Sequence, residues 1–352
     1  MSEKIFPLNT WYVACTPDEI EDKPFSRKIC NIPLVFFRNK EKKIVALEDF
    51  CPHRGAPLSL GFVENGNLVC GYHGLRMGDE GKTVSMPNQR VENFPCITAY
   101  ATVERYGFVW LWPGDQSLAD DTLIPQLPWA INDGWAYGGG LYHIKCDYRL
   151  MIDNLMDLTH ETYVHASSIG QKEIDESPVN TKMEGKQVVT TRFMDNVLAP
   201  PFWQNALRAN DLPHDVPVDR WQVCRFDLPS HVMIEVGVAI AGKGGYDAPA
   251  ESKASSIVVD FITPETDTSI LYFWGMARNF KPDDQELTDS IREGQGNIFA
   301  EDLEVLERQQ ENLLTYPNRD VLKLDIDAGG VMARRLIERA IKQEQRLATK
   351  TV

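Results

Sequence analysis

Two short segments each place one cysteine beside one histidine: Cys51-Pro52-His53 and, after sixteen intervening residues, Cys70-Gly71-Tyr72-His73. Two thiolates on one iron and two imidazoles on the other is the ligand set of a Rieske-type [2Fe–2S] centre. Exchanging two anionic thiolates for neutral imidazoles removes negative charge from the cluster. Its potential rises to roughly −150 to +300 mV, against about −400 mV for an all-thiolate plant-type cluster. Such a centre accepts one electron readily and passes it on. Two Cys and two His can also hold tetrahedral zinc, but zinc fingers usually pair Cys with Cys and His with His across short spacers. Here each segment supplies one of each. Both are rich in Gly and Pro, Cys51-Pro-His-Arg-Gly-Ala-Pro57 and Cys70-Gly-Tyr-His-Gly74. That composition predicts loop tips where backbone N–H groups approach the cluster sulfurs.

A second constellation is Asp153-Asn154-Leu-Met-Asp157-Leu-Thr-His160-Glu161-Thr-Tyr-Val-His165. At 100° per residue Asp153, Asp157, His160 and Glu161 share one face of a helix, and Met151, Leu155, Leu158 and Tyr163 the other. An amphipathic helix with a solvated acidic face would read the same way. The two histidines are five apart, about 140° out of line on an ideal helix, so they converge only if the helix ends or bulges between them. Two histidines and a carboxylate form the facial triad of a mononuclear non-haem Fe(II) site with open positions for O₂. The third ligand is sought in Phe299-Ala-Glu301-Asp302-Leu-Glu304-Val-Leu-Glu307. Asp302 falls among Ile298, Phe299, Val305 and Leu306 on the apolar face, whereas Glu301, Glu304 and Glu307 fall on the far side. A core-facing aspartate is costly unless paired or ligating. Asp302 is therefore the first choice, Glu161 the second, and an ion pair of Asp302 with Arg308 the ordinary alternative.

The elements that carry these residues divide the chain. At 352 residues it predicts two domains. Residues 1–115 hold short apolar or β-rich runs (34–38, 44–47, 67–69 and 107–112) separated by turn residues, which predicts a small all-β domain. Residues 116–352 form the second domain. It begins with a Trp-, Gly- and Pro-rich connector to about 145 and a helical stretch over 150–165. Strands follow over 187–193, 232–240, 256–263 and 269–276, then a long helical region from about 283, just after Pro282. Strands followed by a long helix predict an α+β domain, helix against antiparallel sheet. There is no internal repeat and no low-complexity tract.

The formal net charge of −15 argues against nucleic acid and anionic membranes as partners. No stretch approaches the ~20 apolar residues of a membrane span. Met1-Ser-Glu-Lys-Ile-Phe-Pro lacks the basic start and apolar core of a signal peptide. Cys15, Cys30, Cys96, Cys146 and Cys224 are scattered without a pairing pattern, which predicts reduced thiols in a cytoplasm. The nearest approach to a dinucleotide loop, Gly242-Lys-Gly244-Gly-Tyr-Asp247, lacks the final Gly/Ala and a convincing helix after it. The chain is therefore not expected to take hydride from NADH itself.

Asp49-Phe-Cys-Pro-His-Arg-Gly-Ala-Pro-Leu58 with Cys70-Gly-Tyr-His-Gly74, followed by Asn154-Leu-Met-Asp-Leu-Thr-His160 and His165, resembles the Rieske non-haem iron oxygenases. The similarity runs from about Asn9 to beyond Asp302. Tyr137-Gly-Gly-Gly-Leu-Tyr-His143 and the run from Asn154 to Ile174 resemble the O-demethylase branch acting on vanillate. No ligand position departs from the family pattern. The resemblance implies an N-terminal all-β Rieske domain and a C-terminal helix-grip-like catalytic domain. Cys51, His53, Cys70 and His73 would hold the cluster, and His160, His165 and Asp302 the Fe(II). Asp157 would bridge the two centres, linking a cluster histidine of one subunit to an iron ligand of the next in a head-to-tail homotrimer. Asn154 would lie near the iron. An aryl methyl ether resists hydrolysis, so the implied route oxidises its methyl C–H with O₂; the hemiacetal then collapses to a phenol and formaldehyde. The two electrons would come singly through the cluster from NADH, by way of a separate reductase carrying flavin and a plant-type [2Fe–2S] centre. Another methoxybenzoate, or ring hydroxylation, would use the same metals, and a Rieske electron carrier would need no iron triad. Arg149, Arg192, Arg225 and Arg278 are each able to pair with a substrate carboxylate, though each reads equally as a structural or surface arginine.

Overall fold

The computed structural model describes residues 5–350. The chain forms two compact units: residues to 126 with 263–267 and those from 341 onward, and residues 127–262 with 268–340.

The first unit is built on a six-stranded antiparallel sheet. Its order is Tyr12–Cys15, Phe108–Trp112, Ala99–Arg105, Ile44–Glu48, Ile32–Arg38 and Phe25–Ile29. A second sheet of four short strands runs Phe62–Glu64, Asn67–Val69, Arg76–Met77 and Thr83–Ser85. Val35, Phe37, Val45 and Leu47 of the large sheet pack with Leu68 and Met77 of the small one in a core that also takes in Cys51 and Cys70. Burial of these apolar side chains is what fixes the cysteine-bearing loops to the strands they follow.

In the second unit seven antiparallel strands run in the order Ala136–Ile144, Ser269–Arg278, Lys253–Thr266, His231–Ile240, Pro217–Asp227, Gln187–Leu198 and Val179–Glu184. The Gln285–Thr315 helix packs on the first two strands, and the Tyr148–Met156 and Pro201–Ala209 helices pack on the strands near the middle. A further helix spans Ala328–Lys350. The long helix starts close to the expected point because the Asp284 side chain accepts from the Leu287 N–H at 2.9 Å and caps it. No helix among the described residues is long and apolar enough to cross a membrane.

Three local expectations change. The segment read as a connector contains the strand Ala136–Ile144, paired in continuous register with Ser269–Arg278. Its three consecutive glycines hid it, since glycine disfavours strands. They are needed for close packing: a Cβ on Gly140 would lie 2.7 Å from the Trp274 indole. The helix expected over 150–165 ends at Met156, and a separate turn spans Glu161–Val164. The Asp157 carboxylate accepts from the Thr159 N–H and hydroxyl, both at 2.7 Å, and this local turn stops the helix. With the helical phase reset, Tyr163 points to solvent rather than to an apolar face; Asp153, before the break, pairs with Arg334. Val305, placed on the buried face of the long helix by periodicity, is half exposed.

On the strand Lys253–Thr266, third in the seven-stranded sheet, Asp260 is fully buried. Its Oδ1 accepts from the Tyr272 hydroxyl at 2.6 Å, and its Oδ2 has no partner. Burial, with the negative charge of Asp302, pushes its carboxyl up to about 8, against the opposing effect of the Tyr272 bond. The folded protein therefore keeps the proton that the unfolded chain releases near pH 4. This stabilisation is complete at low pH and is lost as pH rises towards 8, by up to about 1.4 kcal/mol per pH unit. Asp260→Asn is expected to remove that slope. Urea unfolding of the two proteins, compared at each pH from 5 to 8.5, should show wild type losing ground steadily; parallel curves would refute the assignment.

Candidate metal centres

Cys51 and Cys70 sit in two turns of the same construction. The Cys51 N–H donates to Ala56 O (2.9 Å) and Gly55 N–H to Cys51 O (2.8 Å); Cys70 N–H donates to Leu75 O (2.8 Å) and Gly74 N–H to Cys70 O (3.0 Å). Gly55 and Gly74, at φ 68° and 73°, supply the left-handed residue that closes each turn. Both cysteines are buried, while His53 and His73 lie exposed with ring centroids 4.6 Å apart. Burial raises the Cys51 thiol above its ordinary value, as does the neighbouring Cys70, while backbone N–H groups of His53 and Arg54 favour the thiolate. Paired sulfurs inside, paired imidazoles outside and N–H groups aimed at sulfur fit a cluster with one thiolate-held and one imidazole-held iron.

In the second unit His160 and His165 flank the Glu161–Val164 turn, with ring centroids 5.2 Å apart. One donor atom each from His160, His165 and Asp302 lies within 4.8 Å of the others. His165 Nε2 is 3.3 Å from Asp302 Oδ2, and His160 Nε2 is 3.7 Å from Asp302 Oδ1. Asn154 Nδ2 donates to Asp302 Oδ1 at 2.9 Å, and its own Oδ1 is buried without a partner. His165 Nδ1 lies 2.6 Å from Glu301 Oε2. Burial opposes charging of His165, but the Asp302 and Glu301 carboxylates outweigh it and raise its pKa. Periodicity places Glu301 on the far side of the helix, yet its carboxylate reaches back to a histidine ring. Asp157 Oδ2 is 3.9 Å from His160 Nδ1, beyond hydrogen-bond length, and that buried nitrogen has no hydrogen-bond partner. Two imidazoles and a buried carboxylate converging within 4.8 Å fit a facial-triad iron.

A cavity opens beside this triad. Leu155, Leu158, Ile169, Phe202, Trp203, Ile234, Val236, Val258, Met276, Ile298 and Phe299 form its apolar walls, with Gln222 and Gln295 among the polar ones. Its mostly apolar lining with a few polar groups suits a small apolar-bodied molecule.

Residues 144–343 match the family profile of the vanillate O-demethylase oxygenase C-terminal domain, and residues 10–96 that of the Rieske [2Fe–2S] domain. The chain is 72% identical to the vanillate O-demethylase oxygenase subunit of Pseudomonas sp. strain HR199, over 98% of this chain and 97% of that one. The chain is a Rieske non-haem iron oxygenase of the vanillate O-demethylase oxygenase family. The oxygenase is also 33% identical to the dicamba O-demethylase oxygenase component of Stenotrophomonas maltophilia, over 95% and 97% of the two chains. Among solved structures it superposes on dicamba monooxygenase bound to 3,6-dichlorosalicylic acid with a TM-score of 0.89, at 32% identity, covering 97% and 99% of the chains. Its cofactors are a Rieske [2Fe–2S] cluster and a mononuclear iron.

Other parts of the sequence reading separate on the structure. Glu161, the second choice as iron ligand, instead accepts from Arg192 Nη2 (2.9 Å), Arg220 Nη2 (3.2 Å) and Gln222 Nε2 (2.5 Å). Arg308 pairs with Glu311, not with Asp302. None of the four arginines considered for a substrate carboxylate lines the cavity. Arg149 pairs with Asp147, Arg225 with Glu184 and Glu235, and Arg278 binds Thr288 and two backbone carbonyls. Arg192 is enclosed by Glu161, Gln222 and the Leu158 carbonyl. Arg220, which does line the cavity, carries no sequence signal beyond its place in an alternating strand.

Because imidazole ligation sets the cluster's properties, purified oxygenase is expected to be red-brown and to give a rhombic Rieske EPR signal on reduction. His53→Cys or His73→Cys should retain a cluster at lower potential and stop turnover. Unchanged potential in both variants, followed by redox titration, would remove these residues from the ligand set.

Proposed function

We propose that the oxygenase demethylates vanillate, giving protocatechuate and formaldehyde with O₂ and electrons drawn from NADH. The observation that carries this is the convergence of His160, His165 and Asp302 on one wall of an apolar cavity in a chain 72% identical to a vanillate O-demethylase oxygenase subunit. In this reading residues 1–115 are the electron-receiving domain and 116–352 the catalytic one. Cys51, His53, Cys70 and His73 hold the cluster; His160, His165 and Asp302 hold the iron. When bound, the iron supplies activation of O₂ for attack on the methoxy C–H.

The chain's own residues prepare that site. Glu301 accepts from His165 Nδ1, which fixes the tautomer and leaves Nε2 free to ligate. Asn154 steadies the Asp302 carboxylate. Phe202, Trp203 and Phe299 flank the aromatic ring and exclude water from the reacting carbon. Asp157, beside His160, relays the electron's path between centres of neighbouring subunits in a homotrimer. A separate reductase carrying flavin and a [2Fe–2S] centre supplies the electrons, and the five cysteines outside the cluster ligand set, none of them in a disulfide, suit a reducing cytoplasm.

A screen of methoxybenzoates with a surrogate reductase tests the substrate. Vanillate should give the highest kcat/KM, with formaldehyde and protocatechuate formed in equal amounts. A higher value for another methoxybenzoate, or a ring-hydroxylated product without formaldehyde, would overturn the reading.

A further inference from the structure

Behind the cavity wall one carboxylate pairs directly with two arginines, while Asp157 and Asp175 act on Arg192 and Glu173 on Arg220 only from farther off. Glu161, Arg192 and Arg220 are all at least nine-tenths buried, at 4%, 0% and 2% exposure, and one carboxylate faces two guanidinium groups. Burial lowers the pKa of Arg220 to about 10, against the raising effect of Glu161, so the side chain remains a cation at neutral pH. A buried cation that shares its one directly paired carboxylate with a second arginine can take a further anion at low desolvation cost.

Arg220 is the one lysine or arginine among the residues lining the cavity. Its guanidinium is held from behind: Nη1 donates to Ile169 O at 3.1 Å and Gln171 Oε1 at 2.6 Å, and Nη2 to Glu161 at 3.2 Å. The Nε–H has no hydrogen-bond partner. Arg192 also has an unpartnered Nε, but it lies off the cavity. A preorganised cation with an unmet donor, lining a mostly apolar cavity, has the chemistry of a carboxylate receptor.

We infer that Arg220 is the counter-ion of the substrate carboxylate, and that it selects aryl acids over neutral aryl ethers. This rests on the aromatic-acid reading above and names the residue responsible. Glu161 is then a positioning residue: it pins both guanidinium groups and leaves the Arg220 Nε–H for the incoming acid.

The test compares vanillate with vanillyl alcohol, which keeps the ring, methoxy and phenol but lacks the carboxylate. Dissociation constants are measured calorimetrically on anaerobic holoenzyme. Wild type should bind the acid at least about 30-fold more tightly than the alcohol. In Arg220→Met the acid should weaken by at least about 30-fold while the alcohol shifts by less than about threefold, so the discrimination collapses. A folded Arg220→Met protein that keeps wild-type discrimination overturns the inference. If that variant loses its Rieske spectrum or its iron, a crystal structure of the wild-type holoenzyme with vanillate decides. A carboxylate oxygen within about 3.2 Å of the guanidinium supports Arg220, and a carboxylate elsewhere refutes it. Wild-type turnover separates the two readings. An enzyme that demethylates aryl acids without needing Arg220 leaves the proposed function standing and removes only this inference. One that prefers neutral aryl ethers removes both.

Discussion

Asp302→Ala, His160→Ala and His165→Ala proteins are each expected to carry roughly two irons per chain in place of three, with formaldehyde release abolished and the Rieske visible and EPR spectra unchanged. The three side chains come from a turn and a helix far apart in sequence, and their donor atoms meet within 4.8 Å. Removing one would leave two ligating side chains, too few to hold a divalent ion against water. The loss should exceed the 10–100-fold typical of residues that merely orient a ligand, which is the range expected for Glu301→Gln. Glu161→Gln provides the contrast, because its carboxylate is already engaged by two arginines and a glutamine. It should retain iron. Iron analysis and a formaldehyde assay on the same preparations decide. An Asp302→Ala protein with three irons and full activity, beside a Glu161→Gln protein lacking both, would reverse the ligand choice.

Asp157→Asn should separate electron delivery from metal binding. Asp157 Oδ1 is committed to the Thr159 turn, while Oδ2 faces His160 Nδ1 at 3.9 Å. Asparagine preserves the turn, since its carbonyl can still accept from Thr159, but it removes the carboxylate charge that would draw in an imidazole N–H. The variant is expected to keep three irons, a reducible cluster and nearly wild-type vanillate binding while turnover falls by orders of magnitude. If Asp157 only orients His160, the loss should stay within about 10–100-fold. Rapid mixing of pre-reduced enzyme with vanillate and O₂ distinguishes these outcomes. Cluster oxidation at the wild-type rate in the asparagine variant would eliminate the relay role.

Donor chemistry was the most legible part of the chain. Cys51, His53, Cys70 and His73 stand in short Gly/Pro-rich turns, so spacing alone brings each pair together. Asp302 announced itself because a carboxylate on the apolar face of a long helix needs a reason to be buried, and it is 2% exposed. Strand runs such as Phe108–Trp112 and Ser269–Arg278 were readable from their apolar continuity. By contrast, Ala136–Ile144 was hidden by glycines whose purpose, room for the Trp274 ring, exists only after the strands pair.

Histidine convergence came out differently from the helix-wheel expectation. The break falls before His160, at Asp157, not between the two histidines, because a side-chain-to-backbone turn competes with the helix there. Glu161 gives the sharpest division between sequence and structure. In sequence it belongs to an acidic stripe that reads as solvated. In the fold, the register of Gln187–Leu198 against Pro217–Asp227 sets Arg192 opposite Gln222, and both side chains, with that of Arg220, close on Glu161. Which donor groups stand near one another in a short segment is a property of side-chain type and spacing, which the linear chain carries. The balance of buried charge depends on which distant strands lie side by side, and only the paired sheet decides that.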